Sequence, residues 1–425
     1  MKTHKKMSRS RLTIIEGGAS AKAPSPAYTT IDLFCGAGGI TEGFRQAGFR
    51  CLYGNDIMPE AIETFSHNHP EAIADNSPVE QVDPAEIRRK LGLAEGELDV
   101  LVGGPPCQGF SINAPERFLD DPRNKLFKHY VKFVAEFRPK TFVLENVPGM
   151  VQLGDGKVLR QITRELTKLG YELTIKILFA AHYGVPQERF RLIVLGSRLG
   201  ALQHPAPTHF ATGRTNFRGG RGEMVFQLSE EDRERLAPCT TVADAIQDLP
   251  RLEMGEGSEE VGYTHDAKSE FARKIRNPEN VTFNHFAAKL GKQNQARMKH
   301  VPPGGSWRDI PHELLPKGMQ RARRSDHTKR YGRLLADGLS GTVLTKCDPH
   351  WGTVFLPDQD RTLTVREAAR FQSFPDSYRI LGSRVSQYEQ VGNAVPVLMA
   401  RAIAAKLRES LDSMAIDNGD VAANG

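Results

Sequence analysis

From Tyr28 onward, short apolar runs alternate with amphipathic stretches. TTIDLF (29–34), CLYGND (51–56), LDVLVGG (98–104), TFVLENV (141–147), YELTIKILFA (171–180) and RFRLIVLGS (189–197) are short and mostly apolar, and they predict strands. Between them, LFKHYVKFVAEFR (126–138) and VLRQITRELTKLG (158–170) are amphipathic segments of helical length. Apolar strands separated by helices imply βαβ units. The expected fold class is therefore α/β, with a mostly parallel, doubly wound sheet covered by helices on both faces.

The alternation stops near residue 200, which divides the chain. Residues 29–200 form the first domain. Residues 201–350, rich in Gly, Pro, His and polar side chains, predict a smaller loop-rich domain. Helical order returns in 351–411, with LTVREAARFQSF (363–374) and AVPVLMARAIAAKLRESL (394–411). Residues 1–28 are basic and then Ala/Ser/Pro-rich, a disordered arm, and 412–425 read as a frayed tail.

Charge sharpens this division more than composition does. The 425 residues carry a formal net charge of +6, but residues 221–270 hold 5 Lys/Arg against 13 Asp/Glu, whereas 271–333 hold 15 against 4. The second stretch suits a phosphate backbone, and it suits a solvated basic face equally well. The five cysteines, at 35, 51, 107, 239 and 347, form no C-x-x-C pair, so free thiols are expected rather than a disulfide framework or a zinc site. With no apolar run of membrane-spanning length and no secretion signal, a cytoplasmic location is expected.

Four places could carry chemistry. DLFCGAGG (32–39) follows a strand and opens a helix, but the third glycine of a dinucleotide fingerprint would fall at Thr41, which argues against NAD or FAD. A compact turn there admits a small ligand, and Asp56 at the end of the next strand can accept ribose hydroxyls; the plain alternative is a tight turn plus a surface acid. In GGPPCQGFS (103–111), Pro105-Pro106 stiffens the chain before Cys107 and Gly109 lets it turn afterwards, which presents a thiol at the sheet edge. Such a thiol needs an electropositive setting to act as a nucleophile. Glu145 ends an apolar strand, half-buried, where its pKa can rise; it could equally cap its own turn. Gln187, Arg189 and Arg191 alternate, so in an extended segment they share one face, able to stabilise an anion or to form surface ion pairs.

Taken together and in this order, these motifs resemble those of the DNA cytosine-5 methyltransferases. The resemblance extends to RTLTVREAARFQSFP (361–375) and QVGNAVPV (390–397) and covers roughly residues 28 to 411. It implies a Rossmann-like methyltransferase domain that binds S-adenosylmethionine, and a target-recognition domain over 201–350. It also implies a partner in double-stranded DNA, with no metal, no membrane and a monomeric enzyme. By the same resemblance Cys107 attacks carbon 6 of a cytosine rotated out of the duplex. Glu145 binds N3 and the exocyclic amine, Arg189 and Arg191 orient the base, and Gln187 supports their strand. The cofactor positions implied are Phe34, Gly36, Gly38, Gly39, Asp56, Ile57, Asp75, Pro106, Asn393 and Val395, the last two closing the site from the C-terminal helix. SINAPERF (111–118) would close over DNA, and Arg321, Arg323 and Arg324 are candidates for contacting it. The rival readings are a tRNA cytosine-5 methyltransferase of the same fold and a catalytically silent methyltransferase-like regulatory protein. The long basic insertion disfavours the first, and the presence of both the nucleophile and cofactor motifs disfavours the second. The Asp/Asn-Pro-Pro-Tyr/Phe motif that an adenine or N4-cytosine methyltransferase would need is missing from the sequence.

Overall fold

A computed structural model describes residues 28–106, 126–152, 154, 156–213, 224–326 and 329–423, with side chains to Ser413. Cys107, the segment 111–118 and the arm 1–27 lie outside the described residues.

Seven strands form one sheet: β1 (Tyr28–Leu33), β2 (Phe49–Asn55), β3 (Ile73–Asp75), β4 (Val100–Gly103), β5 (Thr141–Asn146), β6 (Glu172–Phe179) and β7 (Phe190–Ser197). Their spatial order is β3-β2-β1-β4-β5-β7-β6. Every pairing is parallel except those of β7, which runs antiparallel to both β5 and β6. The helices α1 (Gly39–Gln46), α2 (Pro59–Asn68), α3 (Pro84–Lys90), α4 (Phe127–Phe137) and α5 (Lys157–Lys168) supply the crossovers. Only the link 180–189, with the 3-10 turn Ala180–Tyr183 as its one regular element, joins β6 to β7, too short for a helical crossover, so β7 reverses direction.

The continuous apolar runs are explained by burial on both faces. Ile31, Leu33, Leu101, Phe142, Leu144, Leu192 and Val194 face α3, α4 and α5, where they meet Tyr130, Phe133, Ile162 and Leu166. Val100, Val102, Val143, Ile193 and Leu195, one residue out of phase, face the other way. They are covered by Ile40 and Phe44 of α1 and by Met399, Ala400, Ile403 and Leu407 of the final helix, α12 (Val397–Ala423). α12 of the C-terminal segment thus packs on this face of the sheet. The helix runs on to Ala423, through the residues from 412 where a frayed tail is expected.

Residues 201–350 contain only short elements, among them α6 (Glu230–Arg235), α7 (Val242–Ile246), α8 (Glu270–Ile275), α9 (Lys292–Met298) and an antiparallel pair, Gly257–Gly262 with Val281–Phe286. Part of this region shares a core with the C-terminal segment. Val242, Ala245, Leu249, Phe271 and Ile275 pack with Leu363 and with Phe371 of α10 (Val365–Phe371). Buried charges lock the same seam. The Arg370 guanidinium reaches Asp248 across it and Asp376 beside it at 2.5 Å each, and Arg361, paired with Glu367 at 2.7 Å, donates across it to the Leu252 carbonyl at 3.1 Å. Between α10 and α12 lies α11 (Arg384–Asn393).

Candidate active site

In an open α/β sheet, ligands bind beyond the carboxyl ends of the strands, where the strand order reverses. Here the reversal lies between β1 and β4, the strands that deliver DLFCGAGG and GGPPC.

The glycine turn is built tightly from both sides. Phe34 has φ +59°, a left-handed backbone that a non-glycine residue adopts only where its surroundings impose it. Gly38 has φ +85°, and a Cβ there would lie 2.6 Å from the Tyr378 hydroxyl and 3.0 Å from His69 Nε2. That hydroxyl donates to the Ala37 carbonyl at 2.5 Å, so its contact with His69 Nε2 at 3.0 Å requires the imidazole to be the donor. Burial lowers the His69 pKa to about 4, so the ring is neutral. At Gly39 a Cβ would meet the Val395 carbonyl at 2.5 Å. A Cβ on Gly36, by contrast, would meet nothing within 4 Å among the described residues. The turn is therefore closed beneath and open outward.

Asp56 follows β2 beside this opening. Its carboxylate accepts the Gly36 N–H and the Met58 N–H, both at 2.9 Å, and burial raises its pKa. It is thus fixed against the turn, with lone pairs left for a further donor. Ile57 next to it is 68% exposed, an apolar side chain largely open to solvent. Asp75 ends β3, accepting Tyr53 O–H at 2.6 Å and Ser77 N–H at 2.8 Å, and its carbonyl takes the Asp56 N–H. An open turn, a held carboxylate and a largely exposed apolar side chain thus lie together at this edge.

One strand further, Gly103 ends β4 and the chain passes through Pro105 and Pro106. Asn146, at the end of β5, donates to the Pro105 carbonyl at 3.0 Å and ties the two strand ends together. Glu145 stands beside them. A Cβ on Gly104 would lie 2.8 Å from Glu145 Oε2, so any other residue there would push that carboxylate from its place. Glu145 Oε1 pairs with Arg191 Nε at 2.7 Å, each side chain 13% exposed. Burial raises the Glu145 pKa, and Arg191 and Arg189 oppose the rise.

A model of the C-5 cytosine-specific DNA methylase family matches residues 28–409. The chain belongs to that family. The methylase is 36% identical to the Type II methyltransferase M.AgeI of Thalassovita gelatinovora, over 90% of this chain and 99% of that protein. It is 35% identical to the Type II methyltransferase M1.HphI of Haemophilus parahaemolyticus, over 88% and 85%. In fold it is similar to a protein of an E. coli prophage whose crystal structure was described as that of a putative DNA modification methyltransferase, with TM-score 0.68, 24% identity and coverage of 91% and 100%.

The three residues expected on one face in QERFR separate in the methylase. Only Arg191 meets Glu145. Arg189 is buried, donating through Nη2 to the Gly392 and Ala394 carbonyls at 2.8 and 3.0 Å and through Nη1 to the Val343 carbonyl, while its Nε has no partner among the described residues. Gln187 is also buried, between the Phe371 carbonyl, Gln372 and the Val343 N–H. β7 begins only at Phe190, and just before it Gln187 bridges in parallel to Ser340 and the Glu188 N–H donates to the Ser340 carbonyl at 2.8 Å, which turns this stretch toward residues 340–343. Asn393 is the exposed last residue of α11 and Val395 lies in the link to α12, so neither stands on the C-terminal helix itself. Among the described residues the cysteines at 35, 51, 239 and 347 are unpaired. Sequence reasoning missed Gly104, His69 and Tyr378 as parts of the site. The doubled glycine before Pro105 was the available signal for the first, whereas the other two meet across 309 residues and left none.

Proposed function

We propose that this methylase uses S-adenosylmethionine to methylate carbon 5 of a cytosine extruded from duplex DNA, as a monomeric modification enzyme of prokaryotic type. The supporting observation is the order of groups along one sheet edge. Asp56 comes from β2, the open glycine turn from β1, the Pro105-Pro106 lead to Cys107 from β4, Glu145 from β5 and Arg191 from the start of β7. A methyl donor, a nucleophile and a carboxyl group for the base would thus lie side by side.

S-adenosylmethionine supplies an electrophilic methyl group when bound. Asp56 would hold its ribose hydroxyls, Ile57 and Asp75 its adenine, and the turn from Phe34 to Gly39 its amino-acid part, with Pro106, Asn393 and Val395 completing the enclosure. Cys107 attacks carbon 6 of the cytosine as a thiolate, and the ring electrons move to carbon 5. A proton at N3 stabilises that electron pair, and a buried carboxyl with a raised pKa holds one closer to neutral pH than an exposed glutamate does. Arg191 keeps Glu145 oriented, and Arg189 fixes the C-terminal segment next to it. After methylation a base, water in the simplest case, removes the proton from carbon 5, and the Cys107–carbon 6 bond breaks.

Bisulfite sequencing of DNA from cells expressing the protein tests this reading. Wild-type protein should protect cytosines in one sequence context. Cys107→Ala should protect none while binding S-adenosylmethionine normally, and Glu145→Gln should lower kcat roughly 10²- to 10⁴-fold. Methylation by the Cys107 variant would overturn the assignment.

A further inference from the structure

The two tryptophans differ sharply. Trp307 is 4% exposed within a small core, whereas Trp351 is 57% exposed. A single exposed aromatic needs no explanation in itself, but this one is held in place. The Arg330 guanidinium lies 4.8 Å from its ring centroid, and the His350 ring meets it edge-on at 4.9 Å and 87°. Arg330 Nη1 is 3.2 Å from His350 Nε2, and His350 Nδ1 is 3.3 Å from the Tyr331 hydroxyl. The Trp351 backbone N–H donates to the Asp348 carbonyl at 3.0 Å. An indole backed by a guanidinium, with most of its surface in water, suits stacking on a nucleobase near phosphate.

Its place in the fold decides which base. Lys329, next to Arg330, pairs with Glu188 at 2.7 Å, and Glu188 stands between Gln187 and Arg189, three residues from Arg191. On the other side, a Cβ on Gly352 would lie 2.9 Å from Leu344, whose backbone packs against Gly392 beside Asn393. Trp351 therefore stands at the junction of the second region and the C-terminal segment, in a stretch fastened through Lys329 to Glu188, just before β7, and through Leu344 to Gly392 beside Asn393. Bases of an intact duplex are stacked on both faces and offer none to a protein aromatic. Rotating one cytosine out opens a step and exposes such a face.

We propose that Trp351 is a positioning residue for extrusion: its indole stacks on a base face uncovered when the target cytosine leaves the helix, and Arg330 holds the ring in place. The test measures kcat/KM on two duplexes carrying the site mapped by bisulfite sequencing, one with the target cytosine paired to guanine and one with it mismatched and already loose. Trp351→Ala should lose about 5- to 100-fold on the paired duplex, the range for one base–aromatic stack, and several-fold less on the mismatched one. Trp351→Leu, apolar but without a π face, should behave like the alanine variant, and Trp351→Phe should stay near wild type. The thermal midpoint and S-adenosylmethionine binding should be unchanged in the leucine and phenylalanine variants. Equal losses on both duplexes, an active leucine variant, or a defect traced to unfolding or lost cofactor binding would overturn the proposal. It rests on the DNA-methylating reading, and wild-type protein that methylates neither duplex would refute that reading instead.

Discussion

At the scale of single residues, Asp32 is the side chain whose setting departs furthest from its sequence appearance. It is the one charged residue in the apolar run TTIDLF, yet within β1 it is 1% exposed. Its Oδ2 accepts the Thr41 hydroxyl at 2.6 Å and its Oδ1 has no partner among the described residues. Burial raises its pKa from 3.8 to about 7. Between these two values the folded protein keeps a proton that the unfolded chain has lost, so stability falls as pH rises from about 4 to about 7 and the loss is complete above that. Asp32→Asn removes this titration. Urea unfolding at pH 5 and pH 8 should show wild type losing about 1–3 kcal/mol more over that interval than the variant. Parallel losses in the two proteins would show that Asp32 does not titrate there.

At the scale of elements, α1 and α12 set the geometry of the glycine turn. α1 presents Gly39 and Gly43 one turn apart, and α12 with its preceding link lies against both. A Cβ on Gly43 would come within 2.5 Å of Ala400 Cβ, 2.6 Å of the Val397 carbonyl and 2.7 Å of the Arg401 nitrogen. Two of those atoms are backbone and cannot step aside. Gly43→Ala should therefore destabilise the fold by about 1–3 kcal/mol despite alanine's better helix propensity. It should also weaken S-adenosylmethionine binding, because Val395, which rests on Gly39, moves with α12. Calorimetric melting and titration of the cofactor check both; an unchanged melting midpoint would mean that the helices separate freely. The elements legible in the sequence were those whose cause is local. Six strands showed as apolar runs because both faces of the sheet are covered, and α4 and α5 showed through their helical periodicity. β3 was missed because three residues, Ile-Ala-Asp, leave no pattern. α11 was missed because it is packed largely through polar residues: Gln387 donates to the Ile380 and Gly382 carbonyls and Gln390 to the Leu381 carbonyl, which no hydrophobic period reports. The same limit applies in the site. Glu145 was readable from its own strand, whereas the roles of Gln187 and Arg189 depend on carbonyls and amides some 150 to 200 residues away.

At the scale of the whole molecule, the excess of positive charge in 271–333 is divided between holding the protein together and facing solvent. Arg276 pairs with buried Asp248, Arg333 donates to the Val301, Met298 and Leu356 carbonyls, and Arg297 donates to the Leu314 carbonyl. Those cations are already engaged, which a count of charges along the sequence does not reveal. Arg321, Arg323 and Arg324 remain exposed on one loop, and Arg324 and Arg308 brace it by donating to each other's carbonyls. If this loop lies along the DNA backbone, each of its three arginines releases about one counterion on binding. The triple variant Arg321→Ala, Arg323→Ala, Arg324→Ala should then flatten the plot of log affinity against log salt by about 2 to 3, since each phosphate contact contributes roughly 0.9 to that slope. The methylated sequence context should stay the same, because phosphate contacts position the duplex without reading it. Fluorescence anisotropy between roughly 50 and 200 mM salt, with bisulfite sequencing of the products, separates these effects. A shallower slope with unchanged context places the loop on phosphate, a shifted context makes these arginines readers of base edges, and an unchanged slope moves the DNA path off this surface altogether.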